Sequence, residues 1–330
     1  MESLPVSKSQ HIPVLDSLRA IAALSVVLFH FVTGPINFVT NEFVLDVFHI
    51  GLYGVQLFFV ISGFVIPWSI SRYDYKISNY FKFLLKRFLR LEPPYLVSIG
   101  LVILFFFLRK LYTDVPDDQV LSVNQLLLHL GYLIPFTDYT WINKVYWTLS
   151  IEFQFYLFMG LFYFVIASKL IQIRIGGYIL LFAISFIGGE HFLLYWLPVF
   201  LLGNMLFLFL TKRINSYEFY SIVALALLHV FIFLPGPTFY VCLFPVISIL
   251  FFHDFSIPVL NWIGKISYSI YLIHTIVGYA FINVFSHYAH TAFTKIVVVI
   301  LGIGTSIFCS YLMYLVIEKP SQKLSSKIKL

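Results

Sequence analysis

The sequence predicts an all-α integral membrane protein with about ten transmembrane helices, one extra re-entrant or interfacial segment, and both termini in the cytoplasm. Three observations predict it. Of 330 residues, 60% are hydrophobic and only 11% are charged, against roughly 25% charged in soluble domains, and mean hydropathy is +0.93. The apolar residues come in runs near the length of about 20 that a helix needs to cross a bilayer. The basic residues then fall almost entirely on one side of the resulting bundle, as they do on the cytoplasmic side of membrane proteins.

The expected spans are 13–33, 47–70, 80–108, 146–168, 175–189, 191–211, 217–234, 239–253, 265–286 and 292–317. The first is read as a retained span, because Arg19 interrupts its start and no small-residue cleavage site follows. The run 122–136, SVNQLLLHLGYLIPF, is short and closes on a proline. With the N-terminus inside and this run not crossing, 17 Lys and Arg lie inside. Only Arg109, Lys110, Lys144 and Lys295 lie outside. Counting the run as a span flips every later loop and destroys the asymmetry, so it is placed as a re-entrant or interfacial segment. Gly188-Gly189 and Pro235-Gly236-Pro237 mark tight turns. With no repeat and no polar linker, 1–330 reads as a single membrane domain, with a core of about 13–317 and a short basic cytoplasmic tail, 318–330.

Composition also excludes. The net charge of +6 is accounted for by the cytoplasmic bias, and no nucleic-acid motif accompanies it. Cys242 and Cys309 are far apart in apolar runs and offer neither a disulfide framework nor zinc spacing. The absence of HExxH, Walker and GxGxxG patterns argues against a metal or nucleotide site of those kinds.

Ionisable groups inside a span are costly and mark functional candidates. The first span carries Asp16, Arg19 and His30. Arg19 and His30 are eleven residues apart, which is roughly 16 Å along one helix face, and Asp16 shares that face. Arg87 and Arg90 are neighbours at i, i+3 near the cytoplasmic end of the third span. Paired guanidinium forks suit a phosphate, and they equally suit a plain cytoplasmic anchor. Pro93-Pro94, just beyond, are expected to break or kink that helix. Glu152 enters the fourth span at a depth similar to His30, where a carboxylate would orient an imidazole. The alternative is that it pairs elsewhere for structure. His274 lies near the middle of the ninth span, either as structure or with a chemical role. Gly51, Gly54 and Gly63, with Ser62, allow close helix approach.

Five stretches, DSLRAIAALSVVLFH, GVQLFFVISGF, FLLKRFLRLEPPYL, YWTLSIEFQFYL and ISYSIYLIH, together resemble the acyltransferase-3 family of membrane-bound O-acyltransferases, in order, from about Val14 to Ile317. The resemblance implies a ten-helix protein of the bacterial inner membrane. Such a protein moves an acyl group, usually acetyl, from cytoplasmic acyl-CoA to a hydroxyl of a surface glycan, such as O-antigen or its lipid-linked precursor. Acyl-CoA is then a donor substrate, with no permanently bound cofactor. It further implies that Arg19 and His30 are the essential pair, that Arg87 and Arg90 with Arg19 hold the donor, and that Glu152 is the family acid. Glu92 departs from the pattern and is expected to weaken the phosphate site. The fused hydrolase-like domain of some relatives is not expected in this chain. The competing function is a secondary transporter in which Arg19, His30 and Glu152 relay protons, although inverted repeats of the transporter kind are not evident.

Overall fold

The computed structural model describes residues 12–34, 38–112 and 121–330. Lys8 and the expected external loop Asp114–Asp118 lie outside the described residues. Among the described residues all regular structure is helical. Eight helices are long and apolar enough to cross a membrane. Two shorter apolar helices, Ile171–Ser185 and Thr238–Phe251, stand where the fifth and eighth spans are expected.

Helix α1 (Pro13–Thr33) begins with proline in its first turn, where no backbone donor is needed, and with Asp16 facing the positive end of the helix dipole. Helix α2 (Glu42–His49) runs through a 3-10 turn into α3 (Gly54–Ser71). Gly51 and Gly54 seat this entry on α1, since a Cβ at Gly51 would stand 2.2 Å from the Ser25 carbonyl oxygen. Helix α4 (Tyr80–Tyr112) continues through Pro93-Pro94 instead of breaking. The Tyr268 hydroxyl donates to the Leu91 carbonyl at 2.9 Å, one residue past the Leu89 and Arg90 carbonyls that the two prolines leave without a helical amide.

The expected non-crossing segment is helix α5 (Val123–Leu130) followed by a 3-10 turn, Ile134–Phe136. Eight residues rise only about 12 Å, too little for a bilayer. The turn between them puts Tyr132, not Gly131, at φ +55°. A bulky residue there is strained. Stacking between Tyr95 and Phe153, at ring-centre distances of 5.0 and 5.1 Å, holds it. His129 locks the same turn. Its Nδ1 donates to the Gln125 carbonyl at 2.7 Å, and its Nε2 accepts from the Ile142 amide at 3.1 Å.

The remaining helices are α6 (Tyr146–Ile166), α7 (Ile171–Ser185), α8 (Leu193–Leu210), α9 (Ser216–Phe233), α10 (Thr238–Phe251), α11 (Pro258–Lys265), α12 (Ser267–Ile273), α13 (Tyr279–Ser286), α14 (Ala292–Met313) and α15 (Lys319–Ser326). The ninth expected span is thus two α-helical pieces joined by a π-helical turn, His274–Gly278. A second π-helical turn, Tyr314–Glu318, joins α14 to α15. Helix α8 is the most enclosed, while α4 and α14 turn most of their surface outward. Phe81, Phe107, Phe231 and Phe308 are among the large apolar side chains on that exterior, and lipid is the solvent that suits it.

Two features bind the bundle. Helices α3 and α8 cross with their backbones in contact. A Cβ at Gly63 would lie 2.0 Å from the Phe200 carbonyl oxygen, and one at Gly203 would lie 1.9 Å from that of Val60. Arg174, counted above as a loop cation, lies in the first turn of α7 and is buried. It grips Glu218 of α9 through Nε and Nη2 at 2.7 and 2.5 Å, and its Nη1 donates to the Ser168 carbonyl at 2.7 Å.

Candidate active site

Among the described residues, two of the cavities lie along α1. The first, of about 260 Å³, is basic. Asp16 and Arg19 come from α1, Ser62 from α3, Arg87 and Arg90 from α4, and Glu152 and Tyr156 from α6. Tyr268 of α12, Glu318 of the second π-helical turn and Gln322 of α15 complete it. Helical spacing explains the arginines: i, i+3 puts Arg87 and Arg90 on one face, and the bundle turns that face toward Arg19. Arg19 donates to Asp16 at 3.3 Å. Arg87 is only 4% exposed, and its Nε and Nη2 are buried without a hydrogen-bond partner. Its guanidinium lies over the rings of Phe83 and Tyr156, 5.4 and 5.6 Å from their centres. A buried fork with two unpartnered donors can receive an anion.

The second cavity, of about 1240 Å³, is aromatic. His30 lines it near the end of α1, with Phe29, Tyr139, Trp141, Trp147 and Tyr279. Asn143, Lys144 and Thr275 supply polar groups. The segment after α5 forms much of this wall, so the strained Tyr132 turn and His129 fix its shape. Burial lowers the pKa of His129, against the opposing effect of its hydrogen bond to the Gln125 carbonyl. Val55 and Tyr271 line both cavities and divide them. The Tyr271 hydroxyl is hydrogen-bonded to Thr148 Oγ1 at 2.7 Å and donates to the Val145 carbonyl at 3.2 Å.

The structure therefore brings together Arg19, Arg87, Arg90 and Glu152, and holds His30 apart from them. The expected pairing of Glu152 with His30 is not found. Glu152 accepts hydrogen bonds from Ser62 Oγ at 3.2 Å and from the Tyr156 hydroxyl, and it interacts electrostatically with Arg19 and Arg87. The reason is depth. Thr148 already stands at the septum, and Glu152 is one helical turn beyond it on the same face of α6. Glu92 also differs from expectation. It is buried but does not line the basic cavity; Tyr132 hydrogen-bonds its carboxyl.

Sequence reasoning missed Glu318, which lies just past the last expected span. It is 3% exposed, accepts from Ser269 Oγ at 2.5 Å and from Gln322 Nε2 at 2.9 Å, and closes one wall of the basic cavity. An acid among the lysines at the end of an apolar run was the available signal. It also missed Tyr271, whose role depends wholly on what lies to either side. Helix α15 is tied beside the arginines, with Ser325 Oγ donating to the Lys86 carbonyl at 2.7 Å and Lys86 Nζ donating to the Ile328 carbonyl at 2.9 Å.

Comparison with known proteins bears on this arrangement. The family model described as "Acyltransferase domain" of acyltransferase-3 matches residues 12–315. A Staphylococcus aureus (strain COL) protein that carries the name of an O-acetyltransferase is 28% identical over 96% of this chain. The chain spans only 58% of that relative's length. A protein of Acidianus two-tailed virus that carries the name of an acetyltransferase is 27% identical over 79% of this chain and 82% of its own length. Acyltransferase MdmB of Streptomyces mycarofaciens is 32% identical over 46% of this chain and 39% of its own. No solved structure matches. With both cavities bordered by the motif residues, and the model matched over nearly the whole length, this chain belongs to the acyltransferase-3 family.

Proposed function

We propose that this chain is an O-acyltransferase that carries an acyl group, acetyl in the first instance, from cytoplasmic acyl-CoA to a hydroxyl of a surface glycan such as O-antigen or its lipid-linked precursor. The observation that carries the reading is the pair of cavities on one helix. Arg19 lines the basic one and His30 the aromatic one, roughly 16 Å apart along α1. The basic cavity suits the CoA phosphates. The gap suits the extended pantetheine arm, with the thioester at the Tyr271 septum. The aromatic cavity suits a sugar, whose ring faces stack on side chains such as Trp141 and Trp147.

The same reading includes topology. The eight long helices and the two shorter ones make ten crossings in a bacterial inner membrane, with both termini and the basic cavity on the cytoplasmic side, in keeping with the basic asymmetry. Membership of an acyltransferase family weighs against the secondary-transporter alternative.

In this reading His30 is the general base. It takes the proton from the acceptor hydroxyl as that oxygen attacks the thioester carbonyl. The new C–O bond forms, the C–S bond breaks, and the departing thiolate of CoA receives the proton from His30. A positioned base of this kind contributes about 10²–10⁴ in rate. Glu152 belongs with the donor groups, where its charge holds Arg19 and Arg87 in place before CoA arrives.

The test has two parts. Mass spectrometry of surface glycans from cells with and without the gene is expected to differ by an acetyl group on a sugar. Folded, membrane-inserted His30→Ala is expected to abolish that difference. Near wild-type acetylation by His30→Ala would remove the base from the mechanism.

A further inference from the structure

His274 lines neither cavity but stands beside His30. It opens the π-helical turn between α12 and α13 and is fully buried. Its Nδ1 lies 3.0 Å from the Ile270 carbonyl and 2.9 Å from that of Tyr271. Carbonyls only accept, so Nδ1 carries the ring's hydrogen, and in a neutral imidazole Nε2 is then a bare acceptor. That Nε2 is buried with no partner. Native structures rarely leave a buried acceptor idle without a reason.

The neighbouring ring is His30. The ring centres are 5.2 Å apart and the planes are inclined by 44°. Two imidazoles joined by an N–H···N bond of ordinary length have centres about 5 Å apart, so a small rotation of His30 completes the bond. Among the described residues, no hydrogen bond uses a ring nitrogen of His30; its other close ring is Phe29, edge-on at 4.9 Å. His274 is also fixed more firmly than His30. Its first nitrogen is tied to two carbonyls, and the π-helical turn that carries it is clasped by Phe31 and Ser306, both of which a Cβ on Gly278 would strike. Turns of this kind recur at functional sites.

We propose that His274 is the positioning residue of His30. Its Nε2 accepts the N–H of the His30 ring, which sets the His30 tautomer and leaves the other ring nitrogen bare toward the aromatic cavity. When His30 takes the acceptor's proton, the resulting imidazolium keeps that bond, and its charge is shared with a second ring. Returning the proton to the CoA thiolate restores both rings. The arrangement does the work of the orienting acid in a hydrolase triad without burying a permanent carboxylate charge. The proposal rests on His30 being the base.

Membrane vesicles from the source cells, supplied with labelled acetyl-CoA, provide the assay. Initial transfer of label to endogenous glycan is measured per amount of folded protein. His274→Phe fills the space and removes the acceptor; His274→Gln places an amide oxygen near the lost Nε2. The expected result is a fall in maximal rate of about tenfold or more for His274→Phe, less than the whole general-base effect of about 10²–10⁴ because the base itself remains. The KM for acetyl-CoA and the melting temperature stay near wild type, and His274→Gln recovers most of the rate. Equal loss in both variants, or loss that follows melting temperature, overturns the positioning role. So does a wild-type rate in His274→Phe alongside an inactive His30→Ala, a result that leaves His30 as the base. Full activity in His30→Ala would instead remove the base itself.

Discussion

Replacing Arg87 with methionine should weaken donor binding while leaving the protein itself as stable as before, or more so. The Nε and Nη2 donors of Arg87 are buried without a hydrogen-bond partner in the protein. Each idle donor costs about 1–3 kcal/mol. The favourable side is the guanidinium over Phe83 and Tyr156, worth about 0.5–2 kcal/mol. Methionine keeps the apolar contact and removes the penalty. In the proposed complex with CoA, the same two donors would each meet a phosphate oxygen, at roughly 1.5–3 kcal/mol per charged hydrogen bond. Losing both makes about 3 kcal/mol or more, a weakening on the order of a hundredfold or greater. Arg87→Lys keeps the charge and loses the fork, so it should fall between. Titration calorimetry of CoA against the protein in nanodiscs, with thermal unfolding in its absence, reads both quantities. A CoA affinity within twofold of wild type in Arg87→Met, or in the Arg87→Ala/Arg90→Ala pair, would refute the reasoning and reduce the motif to an anchor.

Other expectations follow from the structure and, for topology, from the basic asymmetry of the sequence. Gly203→Leu should fail to insert a folded bundle, because even a Cβ would stand 1.9 Å from the Val60 carbonyl oxygen; size-exclusion behaviour in detergent checks this. Arg174→Ala leaves Glu218 buried and unpaired and should cost roughly 3–5 kcal/mol, whereas the joint Arg174→Met/Glu218→Leu change should cost far less; comparative thermal unfolding separates the two. In intact cells an impermeant thiol reagent should label a cysteine introduced at Asp117 and not one at Lys76; the reverse pattern would invert the proposed orientation.

Local physics made much of this protein legible in its sequence. Hydrophobic run length is a property of the chain alone, so the long helices stand close to where the runs predict them. The stripe of Asp16, Arg19 and His30 follows from helix geometry within one segment, as does the shared face of Arg87 and Arg90. The run after Ser122 is set apart from the spans in the sequence because counting it as one destroys the basic asymmetry, and it folds as a helix of only eight residues.

The tertiary structure decided everything that depends on how one helix is set against another. Similar depth suggested that Glu152 meets His30, yet α6 sits so that Thr148 is at the septum and Glu152 falls among the arginines. Helix register comes from close contacts such as Gly63 on Phe200 and Gly203 on Val60, and no single segment encodes them. The same holds for His274. Its apolar surroundings were visible in the sequence, but its bare Nε2 and its 5.2 Å approach to His30 arise only where a π-helical turn meets α1. Run length and composition set which groups lie in long apolar helices; packing between helices chose which of them share a cavity.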